Sequence, residues 1–94
     1  MSINKATYGK TSDHGVTEAA LLPYDNDGYQ APTVEDVVAL KAYSCLTGGE
    51  IAKLTGVAPR TVRKWLAPGD AANSASIPYA AWRLWLINEK IQKD

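Results

Sequence analysis

The sequence predicts an all-α fold, in which a small domain of four helices follows a flexible N-terminal arm. Two observations lead to this fold class. Residues that favour helix starts recur along the second part of the chain, at Thr33, Thr47, Pro59 and Pro78. The stretches that follow them carry apolar residues at helical spacing, without an internal repeat or a low-complexity tract. With 94 residues, the chain has the length of a single domain.

Residues 1–31 form the predicted arm. They contain Gly, Asn, Asp and Ser throughout and show no sustained apolar period, apart from a patch over residues 16–22 that Pro23 closes. Because so little apolar surface cannot offset the entropy of ordering, we expect the arm to be mostly mobile, with the patch docking locally. An acidic block begins in the arm and continues into the first predicted helix, and no Lys or Arg interrupts it: Asp13, Glu18, Asp25, Asp27, Glu35 and Asp36. The predicted domain covers residues 32–94.

The first helix is predicted over residues 34–43. Thr33 can cap its first turn, which also holds Glu35 and Asp36 at the favourable end of the helix dipole. Cys45 is expected to be a small buried apolar residue, since a single cysteine has no internal disulfide partner. A helical wheel places it on the expected core face, with Val34, Val37, Val38, Ala42 and Cys45.

Two short helices follow. Thr47 and Glu50 have the spacing of a capping box, which predicts a helix over residues 48–54. Gly56 supplies the left-handed residue that helices favour just past their ends. Pro59 predicts the start of the next helix, because its missing amide hydrogen costs nothing in a first turn. That helix ends before residue 67, and a polar loop follows.

The last helix is predicted from Tyr79 to about residue 92 and is the most apolar of the four. It carries two neighbouring apolar stripes, although one stripe is enough to cover a small core. An apolar surface left in water usually marks an interaction site, so we expect a homodimer formed through Trp82, Trp85 and Leu86. The alternative is that the domain wraps both stripes into its own core.

Residues 47–66 have the pattern of a helix-turn-helix, in which two short helices meet at a short turn that contains glycine. Ala52 is small where the helices would cross, and Gly56 makes the turn. Val57 and Val62 fill the space between the helices. On these residues the sequence resembles the helix-turn-helix transcriptional regulators of bacteria and phages.

The motif and its surroundings resemble two different branches of that superfamily. Residues 51–63 are similar to the reading head of the MerR group, whose members begin with the motif and follow it with a wing. Here a helix precedes the motif, and a polar loop and a long helix follow it. This order is similar to that of the Cro and phage-repressor type. Trp65 and residues 77–86 resemble the closing helices of that type. The resemblance implies a small bacterial or phage transcriptional regulator.

The resemblance also implies that the helix over residues 58–66 enters the major groove of double-stranded DNA, with its N-terminal end near the bases. Carried over by position, the contact residues are Ala58, Pro59, Arg60, Thr61, Arg63 and Lys64. A helical wheel agrees, because Arg60 and Lys64 point away from Val62. Arg60 is the candidate for a bidentate contact with guanine, whereas Arg63 and Lys64 can equally bind phosphate.

The charge distribution favours the same helix. The chain has ten acidic and ten basic residues, so its formal net charge is zero. Between residues 51 and 66, however, the sequence contains cations and no acid: Lys53, Arg60, Arg63 and Lys64. Such a basic stripe predicts a phosphate-binding surface even on a neutral chain, although we expect Lys53 to be an ordinary surface lysine.

The residue inventory argues against an enzyme. His14 is the only histidine and has no cysteine near it in the sequence, which makes a zinc site improbable. The sequence contains no nucleophile elbow and no phosphate-binding loop. We therefore expect no catalytic residue, no metal and no cofactor. No apolar stretch approaches the roughly 18 residues that span a bilayer, so we expect a cytoplasmic protein without a membrane partner.

Two other functions are compatible with the sequence. One is a protein-interaction module, an antitoxin-like or phage-encoded inhibitor on a helix-turn-helix scaffold, whose acidic arm contacts a basic protein partner. The other is a DNA-packaging or recombination accessory protein with the same reading head. Selection of bound fragments from random duplex DNA separates a sequence-specific regulator from a pure interaction module.

Overall fold

The computed structural model describes residues 14–69 and 74–94. These residues contain no strand. Their elements are, in chain order, a 3₁₀ helix over Glu18–Leu21, α1 over Val34–Ser44, α2 over Gly48–Thr55, α3 over Pro59–Leu66 and α4 over Tyr79–Glu89. The predicted all-α fold with four helices is therefore confirmed.

Capping boxes start α1 and α2, as the sequence predicts. The Thr33 hydroxyl accepts a hydrogen bond from the Asp36 amide at 3.2 Å, and the Thr47 hydroxyl accepts one from the Glu50 amide at 3.1 Å. In return, the two carboxylates accept hydrogen bonds from the backbone N–H of Thr33 and Thr47. These bonds satisfy amides that a first helical turn leaves without intrahelical partners. The bonds from Thr47 also hold the pKa of Glu50 below its ordinary value.

The core is built around three tryptophans. Trp65, Trp82 and Trp85 are each at most 2% exposed, and the rings of Trp82 and Trp85 meet edge to face with centroids 6.2 Å apart. α2 packs against both α3 and α4, and α1 packs against α3. The other large side chains that are fully buried are Leu21, Leu40, Ile51, Val62 and Leu86.

Most of the apolar surface of α4 lies inside the chain. Trp82, Trp85 and Leu86 are completely buried, so the expectation that they form a dimer interface is wrong. The N-terminal segment covers Trp82, whose indole N–H donates to the carbonyl oxygen of Ala20, while α2 packs against the same helix. The apolar side chains that α4 does expose are Leu84 and Ile87, at 47% and 48%.

α4 ends at Glu89 instead of near residue 92. Lys90 is in the left-handed conformation, with a φ of 62°, and its N–H donates to the Ile87 carbonyl oxygen at 3.0 Å. After this turn the backbone N–H of Lys93 donates to the Leu21 carbonyl oxygen at 2.8 Å. The helix therefore stops where the chain turns to meet the N-terminal segment.

Residues 14–31 contribute to the core, which the sequence-based boundary at residues 31 and 32 does not anticipate. Val16, Ala20 and Leu21 are buried. Asp36 of α1 fixes this segment, because one of its carboxylate oxygens accepts hydrogen bonds from both the N–H and the hydroxyl of Thr17, at 2.9 and 2.8 Å. The expected local docking of residues 16–22 thus extends into full packing. Residues 1–13 of the predicted arm lie outside the described residues.

The face that α1 presents to the core shares Val37 with the predicted face but is otherwise different. Val37 and Leu40 are buried, whereas Val38 is 48% exposed and Cys45 is exposed. Leucine brings more apolar area into the core than valine, and Asp36 must face Thr17, so the helix turns Val37 and Leu40 inwards. Cys45 follows the helix as its left-handed C-terminal cap, with a φ of 58°.

Candidate nucleic-acid interface

A tight turn at Gly56 joins α2 to α3. Gly56 has a φ of 76°, in the left-handed region that glycine adopts without a side-chain penalty. The N–H groups of Gly56 and Val57 both donate to the carbonyl oxygen of Ala52, at 2.8 and 3.1 Å. Ala52 is buried where α2 and α3 meet, and Val57 is half-buried against the core. The structure thus brings together the small residue, the turn glycine and the apolar residues of the predicted motif.

α3 has one buried face and one charged face. Val62 and Trp65 are 1% and 2% exposed, and they attach the helix to the core. The opposite face carries Arg60, Arg63 and Lys64, which are all exposed. The helical repeat of 3.6 residues produces this separation, since residues 60 and 64 lie about half a turn away from residue 62.

The cations of α3 form no ion pair in the described part of the chain. The ion pairs found there join Arg83 to Asp94 and Lys93 to Glu18, and none includes Arg60, Arg63 or Lys64. Arg60 and Lys64 are like charges at a spacing of four residues, which disfavours a helix slightly when nothing compensates them. The surface of α3 is therefore positively charged and available to an anionic partner.

The N-terminal end of α3 is open. Ala58 occupies the N-cap position and supplies no side-chain hydrogen bond, and Pro59 follows as the first helical residue. Ala58 and Pro59 are both exposed at this end, next to Arg60. Thr61, which the sequence also places on the DNA side, is half-buried. The predicted contact residues therefore lie on one surface, with Thr61 at its edge.

The C-terminal end of α3 is held by a residue of the loop that follows it. The carbonyl oxygen of Lys64 accepts a hydrogen bond from the Ala75 N–H at 3.1 Å. Sequence reasoning does not identify this contact, because residues 70–76 read only as a polar loop. Trp65 anchors the same end in the core, so both its side chain and this backbone bond fix the direction of α3.

Other features of the described residues are weaker candidates for a functional site. No group of three or more His, Cys, Asp and Glu side chains there could hold a metal ion. His14 is buried, and its Nδ1 accepts a hydrogen bond from the Val16 amide at 3.0 Å. None of the helices in this part of the chain has the length and apolar character needed to cross a membrane. The exposed face of α3 is the strongest candidate site.

Comparison with known proteins connects this geometry to a family. No family model and no solved structure matches the chain. The transcriptional repressor protein KorC of Escherichia coli is 34% identical over 77 residues, and the alignment covers 79% of this chain and 82% of KorC. Identity at this level over most of both proteins indicates common descent. The chain therefore belongs to the KorC family of transcriptional repressors.

Proposed function

We propose that the protein is a sequence-specific regulator of transcription that inserts α3 into the major groove of double-stranded DNA. The observation that carries this proposal is the exposed face of α3, whose three cations have no acidic partner in the described residues. The major groove admits an α-helix, and phosphates on both sides supply the missing negative charge. The relationship to KorC, a transcriptional repressor, supports the regulatory role.

Each residue of this face has a proposed task. Arg60 lies near the open N-terminal end of α3, where a helix in the groove meets base edges, and its guanidinium matches the two acceptors of guanine. Arg63 and Lys64 lie about one turn later and bind phosphate or bases. Thr61, at the edge of the surface, contacts the nearer strand. Ala58 and Pro59 bring the backbone close to the DNA because their side chains are small.

Substitutions on α3 test this assignment after the preferred site has been selected from random duplex DNA. Arg60→Ala should reduce affinity for that site by about 1–3 kcal/mol and relax its base preference. Lys64→Ala should instead weaken binding to all sequences by a similar factor. It should also flatten the slope of log affinity against log salt concentration by about one unit.

Lys53→Ala is the matched control, because it removes the same charge from an exposed position on the neighbouring helix α2. It should leave base preference unchanged and affect affinity less than Lys64→Ala. Equal losses for both lysines would mean that net charge, and not the placement of α3, governs binding. If selection from random duplex DNA enriches no motif, the proposal of a sequence-specific regulator is excluded.

The arrangement of elements supports a Cro or phage-repressor type of domain over a MerR type. α1 precedes the two motif helices and α4 follows them, and the described residues contain no strand that could form a wing. We propose on this basis that the similarity of residues 51–63 to the MerR reading head is confined to the motif itself.

We propose further that the protein binds DNA as a homodimer through the exposed face of α4. Leu84 and Ile87 lie three residues apart on that face, and both are nearly half exposed. A twofold dimer would present two copies of α3 about 34 Å apart and select a near-palindromic site.

Ile87→Glu tests the dimer, since it places a charge in the proposed interface. Ile87→Glu should lower the sedimentation coefficient towards that of a monomer and should lower the affinity for DNA. Val38→Glu is the control, because Val38 on α1 is also 48% exposed and lies outside this face of α4. A wild-type monomer at tens of micromolar together with a non-palindromic selected site would exclude the dimer.

A further inference from the structure

Three tyrosines form a surface cluster at the start of α4, outside the charged face of α3. The ring of Tyr79 lies 5.2 Å from Tyr24 and 5.6 Å from Tyr29, both edge to face, and the rings of Tyr24 and Tyr29 are 5.5 Å apart. Tyr24 is 66% exposed, which is the highest value among the exposed large apolar side chains. The cluster therefore presents the exposed ring of Tyr24 to solvent, next to the half-buried rings of Tyr29 and Tyr79.

Contacts within the chain hold these three rings in place, so no bound partner is needed to order them. The Tyr79 hydroxyl accepts a hydrogen bond from the Tyr24 backbone N–H at 3.1 Å. The turn between Tyr24 and Tyr29 is closed by backbone bonds and by the Asn26 side chain, which accepts from the Gly28 N–H at 2.7 Å. A ligand would thus meet a preformed surface and would not have to order it.

The same turn carries two unpaired carboxylates. Asp25 and Asp27 are exposed, and neither takes part in an ion pair or a hydrogen bond within the described residues. The sequence contains no Lys or Arg from residue 14 to residue 40. Arg83, one turn after Tyr79, is engaged elsewhere, because its guanidinium donates to the carbonyl oxygens of Leu21 and Lys93. No cation of the described chain therefore neutralises this surface.

We propose that the tyrosine surface, made of residues 23–29 and Tyr79, docks an arginine- or lysine-bearing segment of another protein. Aromatic ring faces attract cations, and so do carboxylates, so two different features of the surface select the same chemistry. Tyrosine is also enriched among the residues that dominate binding energy at protein interfaces. Phosphates would be repelled by Asp25 and Asp27, so this surface is not an extension of the DNA-binding face. The inference does not depend on the proposed function of α3.

A titration with hexa-arginine amide tests the proposal on the full chain. Amide chemical shifts should change for residues 22–30 and for the start of α4, while α3 stays unaffected. Tyr24→Ala should weaken the affinity for the peptide by about threefold to thirtyfold, which corresponds to the loss of a cation–π contact. The double variant Asp25→Asn/Asp27→Asn should weaken peptide affinity at low salt and change it less at high salt, where charges are screened.

Two matched variants act as controls. Tyr43→Ala removes another exposed tyrosine, from α1. Glu35→Gln/Glu89→Gln removes two carboxylates outside the tyrosine surface, one in the first turn of α1 and one at the C-terminal end of α4. Both should bind the peptide as the wild type does. The proposal would be overturned if the control variants lost as much peptide affinity as Tyr24→Ala, or if amide chemical shifts changed near all acidic residues. So would self-association that Tyr24→Ala abolishes without peptide, because the occupant would then be a second copy of the chain.

Discussion

The indole nitrogen of Trp82 donates a hydrogen bond of 2.8 Å to the carbonyl oxygen of Ala20, across 62 residues of sequence. Both residues are buried, so water cannot replace either partner. The bond therefore joins the N-terminal segment to α4 at the centre of the core.

Trp82→Phe should destabilise the protein by about 1–3 kcal/mol beyond its loss of volume, because the Ala20 carbonyl oxygen would remain buried without a donor. Chemical denaturation measures this difference. Trp85→Phe is the matched control, since Trp85 is equally buried but its indole nitrogen has no hydrogen-bond partner within the described structure. Equal losses for the two variants would show that the bond to Ala20 contributes nothing of its own.

Substitution of two glycines by alanine should have opposite effects on stability. Gly56→Ala forces a side chain into the left-handed region and should cost about 1–2 kcal/mol, although nothing lies within 4 Å of the added carbon. Gly48→Ala, in the first turn of α2, meets equally open space without that strain and should gain up to about 1 kcal/mol. Thermal unfolding of the two variants measures whether stability falls for Gly56→Ala and rises for Gly48→Ala. A loss at Gly48 would point to a requirement for flexibility in that turn.

Ala58→Ser should stabilise α3. The Ala58 backbone already has the extended conformation of an N-cap, and a serine hydroxyl there could accept from the free first-turn amides, with a gain of about 1 kcal/mol. Thr47→Ala gives the reverse comparison, because it removes the cap of α2 and should cost a similar amount. Both values come from urea unfolding. An unchanged midpoint for Ala58→Ser would mean that the hydroxyl does not reach those amides.

Asp36 makes stability depend on acid pH. Burial alone would raise its pKa, but the hydrogen bonds from Thr33 and Thr17 outweigh burial and hold the pKa below its ordinary value of 3.8. A carboxyl with a lowered folded-state pKa stabilises the protein above its unfolded-state pKa, and this stabilisation fades as the pH falls through the folded-state pKa.

Asp36→Asn should therefore cost about 1–3 kcal/mol at pH 7, and the difference from the wild type should shrink below about pH 4. Urea unfolding at a series of pH values measures it. Glu35→Gln is the control, because Glu35 is the exposed neighbour in the same turn and makes none of these bonds. A constant difference at every pH would exclude ionised Asp36 as the source.

Local signals in the sequence predict the helices well and the long-range contacts poorly. The capping threonines, Gly56 and Pro59 act within a few residues of where they stand, so the starts of α1, α2 and α3 agree with the structure. The end of α4 does not, because it depends on pairing between Lys93 and Leu21, which no local pattern reveals.

The same distinction explains the errors about burial. A helical wheel shows which side chains share a face but not which element covers that face. The sequence predicts a mostly mobile N-terminal arm with only local docking of residues 16–22, so it offers no cover for Trp82 and suggests a dimer. The charged face of α3 was easier to predict, since Arg60, Arg63 and Lys64 lie opposite Val62 on a single short helix.

The contact between the N-terminal segment and α4 also determines when the protein can fold during its synthesis. Ala20 and Leu21 leave the ribosome long before Trp82 and Arg83, the residues that bind their carbonyl oxygens. At about 5–20 residues per second, a gap of 62 residues corresponds to a delay of about 3–12 s. α1, α2 and α3 emerge one after another during this interval, and their apolar faces have no α4 to cover them until it ends. The growing polypeptide is therefore open to capture by chaperones or proteases until its last helix emerges.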